Sequence, residues 1–161
     1  SLQRGYHCLM PNSEAVIEIR LCDAPVSYLA AGRLPPAVGA ECVFLGRTRA
    51  DEHPEHGELL RLGYEAYGPL AERGLRELAE TAVAEYGCRF VRVHHAICDV
   101  PISEASVLVQ VACARRAEAF AACRFLIDEL KARAPIWKRQ QWARGATWAE
   151  GNVIPTPEGR P

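Results

Sequence analysis

Two lysines stand seven residues apart in LKARAPIWKRQ (130–140), with Lys131 before a proline and Lys138 after it. Pro135 disfavours helical geometry at Ala134 and has no N–H to donate, so a helix arriving from the N-terminal side is expected to stop there. Lys131 is one step from Leu130, which belongs to that helix's apolar stripe. Trp137 can pack against the body and fix the path of Lys138 beyond the break. Two ammonium groups can then converge on one pocket, one from a helix and one from the loop after it. The plainer alternative is a pair of solvated surface lysines.

Three arginines extend the cationic reading. Arg49, with Arg47 two residues before it, ends the strand-like run GAECVFLGRTR, and residues two apart share a strand face. Arg115 and Arg116 lie between an apolar strand and the start of the second helix. Helix N-termini favour anions through free N–H groups and the macrodipole. The alternative there is an ordinary solvated strand–helix junction. Together, Arg49, Arg116, Lys131 and Lys138 suit a phosphorylated or otherwise anionic small molecule.

Other groups carry less chemistry. His53 and His56 sit as HPEH in a polar loop, without the third ligand or the helix of a zinc site. His94 and His95 are neighbours in a strand, so they face opposite ways and cannot chelate one ion. Cys98 has no activating neighbour in sequence and reads as a packed thiol. The seven cysteines form no CxxC pair and are odd in number, which suggests reduced thiols rather than a zinc ribbon or disulfide framework. No phosphate-binding glycine loop or nucleophile elbow occurs. No metal or other cofactor is expected.

The elements that must position these groups follow from periodicity. EAVIEIRL (14–21) alternates as a half-buried strand does. GAECVFLGRTR (39–49) and LLRLGYEA (59–66) read as strands able to pair antiparallel across the polar, mobile loop 50–58. Residues 69–86 read as a helix, with Pro69 in its first turn, Leu75, Leu78 and Ala82 on one face, and Gly87 as its cap. FVRVHHAI (90–97) and ASVLVQVAC (105–113) are two further strands joined around 99–103. A second helix spans about 117–133, with Phe120, Cys123, Ile127, Leu130 and Ala134 as its buried stripe. An irregular tail carries Trp142 and Trp148. Strands outnumber helices without regular βαβ alternation, so the expected class is α+β.

At 161 residues, 49% hydrophobic and 24% charged, the chain suits one folded domain, with a core of about 14–150 and flexible ends at 1–13 and 151–161. Nineteen basic and 20 acidic residues leave a formal charge of -1. Nucleic acid and anionic membranes are therefore not expected partners, and an anion site must be a local cluster. The opening SLQRGYHCLMPNSEA has neither the apolar core of a secretory signal nor a membrane-length run, which makes the cytoplasm the expected compartment.

GAECVFLGRTR, LGYEAYGPLAERGL, EASVLVQVACARRAEAFAACRFLIDELKARAPIWKRQ and the closing W-x-x-G-x-x-W together resemble the large, catalytic subunit of molybdopterin synthase, the MoaE family. The resemblance spans about 14–150, and LK-x-x-x-PIWK is its most specific piece. It implies an α+β hammerhead-type fold with antiparallel strands and two main helices, in a homodimer. It also implies a partner, a small ubiquitin-like sulfur-carrier subunit whose Gly-Gly C-terminus arrives as a thiocarboxylate. The implied substrate is cyclic pyranopterin monophosphate, converted by two sulfur transfers to the molybdopterin dithiolene.

Carried over position by position, the family's strand-end arginine falls on Arg49 and its His-Arg pair on Arg115 and Arg116. Its active-site lysines fall on Lys131 and Lys138. Arg49, Arg115, Arg116 and Lys131 would hold the substrate, Lys131 would also meet the thiocarboxylate or an oxyanion, and Lys138 would transfer a proton or engage the tail covalently. Residues of both subunits can share one pocket. The chain departs from the family's pattern at Arg115 (usually His), at Gln140 (usually Glu), and at Ala96 and Cys98 (in place of Arg and Gly). A non-catalytic dimeric paralogue that keeps the carrier-tail groove is the alternative these departures support. A phosphate-ester hydrolase or nucleotide binder would use the same cations but lacks a base or metal motif.

Overall fold

The computed structural model describes residues 14–149; the termini expected to be flexible lie outside them. In chain order the elements are β1 (Val16–Cys22), β2 (Ala40–Arg47), β3 (Glu52–His53), β4 (Gly57–Ala66), α1 (Gly68–Tyr86), β5 (Phe90–Ala96), β6 (Asp99–Pro101), β7 (Ala105–Cys113), α2 (Arg116–Arg133), β8 (Ile136–Trp142) and β9 (Gly145–Trp148). The class is α+β, as the strand-rich pattern implied.

A four-stranded sheet runs β1-β5-β7-β2, and a second sheet contains β3-β4-β8-β9 with β6 on β4. The first is mixed: β1 lies parallel to β5, whereas β5–β7 and β2–β7 are antiparallel. The expected β2–β4 pair does not form. β2 takes β7 as its partner and β4 takes β8, so those two strands belong to different sheets. The intervening segment is a tight hairpin, with Glu52 and His53 paired to Glu58 and Gly57. The tail is likewise ordered, as the β8–β9 hairpin.

Both helices lie on one face of the first sheet. Leu75, Leu78 and Ala82 of α1 meet Val91, Val93, Val109 and Val111 from the sheet and Cys123, Leu126 and Leu130 from α2. α1 ends as expected, with Gly87 at φ 65 and its N–H bonded to the Val83 carbonyl. Four of the five residues expected in the stripe of α2, Cys123, Ile127, Leu130 and Ala134, are buried, with Leu126 beside them. Ala119 and Ala122 are buried, while Phe120 is 66% exposed.

On the sheet's other face, Arg92 is buried and held by hydrogen bonds. It donates to Glu18 (2.6 Å), to the Gln110 side-chain oxygen (2.9 Å) and to the Leu29 carbonyl (2.6 Å). Gln110 in turn donates to Glu41. This polar row crosses β1, β5, β7 and β2 and pins the strap between β1 and β2.

A second apolar cluster (Val26, Ala96, Val100, Ala105, Leu108) joins the sheets, and Tyr64 packs on both clusters. His95 is buried beside it. Its Nδ1 donates to the Ala96 carbonyl at 2.7 Å, and burial lowers its pKa from 6.5 to about 4. Between those values the unfolded chain binds more protons than the folded one, so stability is lost as pH falls from 6.5 to about 4. Urea midpoints should decline through that window by the equivalent of roughly 3 kcal/mol. His95→Gln should flatten that part of the profile.

Candidate functional site

The lysines arise from the helix stop as expected, but Lys138 is held on a strand rather than a loop. α2 ends at Arg133, and Ala134 turns to extended geometry (φ -72, ψ 132) ahead of Pro135. β8 begins at Ile136, whose side chain is buried in the main core. Alternation then places Lys138, Gln140 and Trp142 on the same side as Ile136. Lys131 sits in the last turn of α2 and is exposed; Lys138 is half-buried.

Burial first, and the nearby Lys131 ammonium second, lower the pKa of Lys138. Gln140 contributes no opposing charge. Its side-chain oxygen accepts from the Thr147 hydroxyl (3.0 Å), which itself accepts from the Trp142 indole (2.8 Å). A carboxylate at this position would favour the charged lysine; the amide does not.

Composition adds a signal that motif reading passed over. The chain has 17 arginines and only two lysines, and these are Lys131 and Lys138. Arginine supplies cationic charge everywhere else. Only at this spot does the chain place ammonium groups, which can release a proton, where guanidinium would stay charged.

The arginines separate. Arg49 follows β2, just beyond a bulge at Gly46/Arg47. Arg47 donates to the Ser103 carbonyl (2.9 Å) and buried Thr48 to the Val100 carbonyl (3.1 Å), leaving Arg49 exposed at the end where β7 begins. Arg115 caps α2 and Arg116 opens it, both exposed, at the other end of β7. Gly39 is tied to that end: its N–H bonds the Cys113 carbonyl, and a Cβ there would collide with the Ala114 carbonyl oxygen.

α2 then runs back over β7, with the Cys123 thiol near the Val109 carbonyl at mid-strand. Lys131 and Arg116 are fifteen residues apart on one helix, hence about 22 Å. Arg49 and Arg115 are separated by the length of β7, roughly 27 Å. Lys138, opposite Tyr64 in the β4–β8 ladder, falls at the Arg49 end, where Tyr64 meets Ser106. One copy of the chain therefore gathers Arg49, Lys131 and Lys138 at one end. Arg115 and Arg116 stand at the other, so a pocket holding Arg49, Arg116, Lys131 and Lys138 together would draw on two copies of the chain.

The remaining candidates are structural. Ala96 is wholly buried among apolar side chains, where an arginine would find no room. Cys98 has its pKa raised, mainly by burial and then by Asp99, so it is not an activated nucleophile. His53 accepts the Glu55 and His56 N–H groups and caps its hairpin. Among the described residues no cluster of His, Cys, Asp or Glu could hold a metal ion, and no helix is long and apolar enough to cross a membrane.

The MoaE protein family matches residues 21–133, most of the chain. The chain belongs to the MoaE family. It is 39% identical over 127 residues to a protein of Arabidopsis thaliana named molybdopterin synthase catalytic subunit, covering 79% of this chain. The chain spans 61% of that relative's own length. Molybdopterin synthase from Staphylococcus aureus has a similar structure, with TM-score 0.70 and 29% identity over 87% of this chain and 98% of that one. A complex of subunits 1 and 2 of molybdopterin-converting factor from Helicobacter pylori also has a similar fold, with TM-score 0.60 and 24% identity over 74% of this chain and 77% of that one. The MoaE match ends at Arg133, so it takes in Lys131 but not Lys138.

Two substitutions should move Lys138 in the same direction by separate routes. Lys131→Gln removes the neighbouring positive charge, and Gln140→Glu supplies a negative one. Each should raise the pKa of Lys138, read by carbon-13 NMR of lysine-labelled protein.

Proposed function

We propose that this MoaE-family chain is the catalytic subunit of a molybdopterin synthase. It would move sulfur from the thiocarboxylated Gly-Gly tail of a small ubiquitin-like carrier subunit to cyclic pyranopterin monophosphate, in the cytoplasm. The observation that carries this reading is the lysine pair. The only two lysines of the chain stand side by side across a helix break, and the half-buried one gives up its proton more readily than usual. Sulfur transfer to a phosphorylated pterin needs both fixed positive charge and a movable proton.

In this reading Arg49 holds the substrate's phosphate or acceptor edge through charge-assisted hydrogen bonds. Lys131, exposed at the end of α2, meets the incoming thiocarboxylate. Lys138 handles the proton or engages the tail. Arg115 and Arg116 complete the pocket from a second copy of the chain, because their own copy keeps them about 22 Å from Lys131. Phe120, exposed one turn along α2 from Arg116, supports placing a second copy against this part of the molecule. Arg115, where the family usually has histidine, supplies a permanent charge instead of a titratable one.

Single-turnover sulfur transfer from a thiocarboxylated carrier to cyclic pyranopterin monophosphate tests the reading. Wild type should form the dithiolene, and Lys138→Ala should lose at least about a hundredfold in rate, as expected when a proton-transfer group is removed. Wild-type protein that binds carrier yet forms no dithiolene would instead favour the non-catalytic paralogue. Mixing Lys138→Ala with Arg116→Ala should restore part of the activity, since each mixed dimer regains one intact pocket. No recovery on mixing would reject the shared pocket.

A further inference from the structure

Lys138 has a partner that neither the motif nor the charge pattern identifies. In the β4–β8 ladder it stands directly opposite Tyr64. The backbone shows which kind of opposition this is. The Tyr64 N–H bonds to the Cys98 carbonyl (3.0 Å), away from β8. The Lys138 carbonyl accepts from the Ala149 N–H (3.0 Å), away from β4. The two residues are therefore a non-hydrogen-bonded pair, the closer of the two antiparallel arrangements, with Cβ atoms about 4.5–5.5 Å apart on the same face. A tyrosine ring at that spacing can reach along the methylene stem of the lysine.

Tyr64 is itself firmly seated. Its ring meets His95 edge-on, with centroids 5.0 Å apart at 72°. It packs against both apolar clusters, and burial raises its pKa, with the facing Ser106 hydroxyl acting in the opposite sense. His95 is neutral and fixed by its bond to the Ala96 carbonyl. A supported column thus runs from the core through His95 and Tyr64 to Lys138.

We propose that Tyr64 is a positioning residue for Lys138: its ring walls the lysine stem from water and sets where the ammonium points. The groups facing Lys138 leave this role to Tyr64. Lys131 from α2 is the one charge shown to act on it, Gln140 on β8 and Thr147 on β9 are neutral, and Tyr64 is uncharged below its own raised pKa. Burial outweighs Lys131 in perturbing Lys138, and Tyr64 is the large side chain directly across the ladder from it. This role rests on the proposed function only for its catalytic use; the positioning itself is measurable without turnover.

Because the chain has two lysines, full-length protein labelled at lysine Cε gives two signals, assigned with Lys131→Arg. In wild type, nuclear Overhauser contacts should connect the Tyr64 ring to the Lys138 methylenes. Tyr64→Phe, which keeps the ring, should leave the Lys138 titration in place. Tyr64→Leu should move it up toward an ordinary lysine, so that the unprotonated fraction at pH 8 falls several-fold. Absence of the contacts in wild type overturns the proposal whether or not any variant folds. So does a folded Tyr64→Leu protein with the wild-type titration. In the sulfur-transfer assay, Tyr64→Leu should shift the alkaline-going limb of the pH–rate profile upward. If wild type transfers no sulfur, the functional reading fails while the titration still decides the role of Tyr64.

Discussion

Every residue of strand β7 is buried, and the rest of the molecule is arranged around that constraint. One face needs both helices; the other needs the strap and the second sheet. A strand enclosed on both faces tolerates polar side chains only where they are paired. Gln110 meets this condition through Arg92 and Glu41, and Ser106 by facing the Gly46 carbonyl and Tyr64. The two ends of β7 are where the chain emerges. Arg49 leaves beside one end and Arg115–Arg116 beside the other, so the length of this strand fixes their separation.

The placement of Lys138 is a second consequence of enclosure. Pro135 ends α2 over the edge of the core, and Ile136 must then be buried. Alternation commits Lys138 to the same side, where water is scarce. An ammonium held there loses part of its hydration, and Lys131 adds repulsion. No carboxylate compensates, since Gln140 is neutral. The protonated form of Lys138 is thereby disfavoured by its surroundings, whereas a guanidinium stays charged by its own chemistry, which divides cations that hold an anion from a cation that can exchange a proton.

Local signals in the sequence were sufficient for both helices, with Pro69, Gly87 and Pro135 marking their limits, and for β1, β2, β4, β5 and β7. Pairing was not legible. β2 and β4 are adjacent in sequence and both alternate, but the choice of β7 and β8 as partners depends on which faces the helices cover. The tail looked irregular because β8 mixes charged and aromatic residues; it is a strand because β4 and β9 pair with it on both sides. Phe120 fitted the helical rhythm, yet smaller neighbours, Ala119 and Ala122, fill the close approach of α2 to the sheet. The site residues were visible as types and spacing. Their division between opposite ends of one chain needed the direction of α2, which no motif encodes.

Arg92 grips the strap through the main-chain carbonyl of Leu29, backed by Glu18 and Gln110 beneath. A guanidinium bound to backbone oxygen does not read side chains. At the gripped point the strap is thus free to drift in sequence, and exposed Tyr28 and Leu29 can be exchanged widely without loosening it. Insertions and deletions are another matter, since they would carry the gripped carbonyl out of reach. Among relatives, this segment is a place where alignment should be anchored by residue count rather than by residue identity.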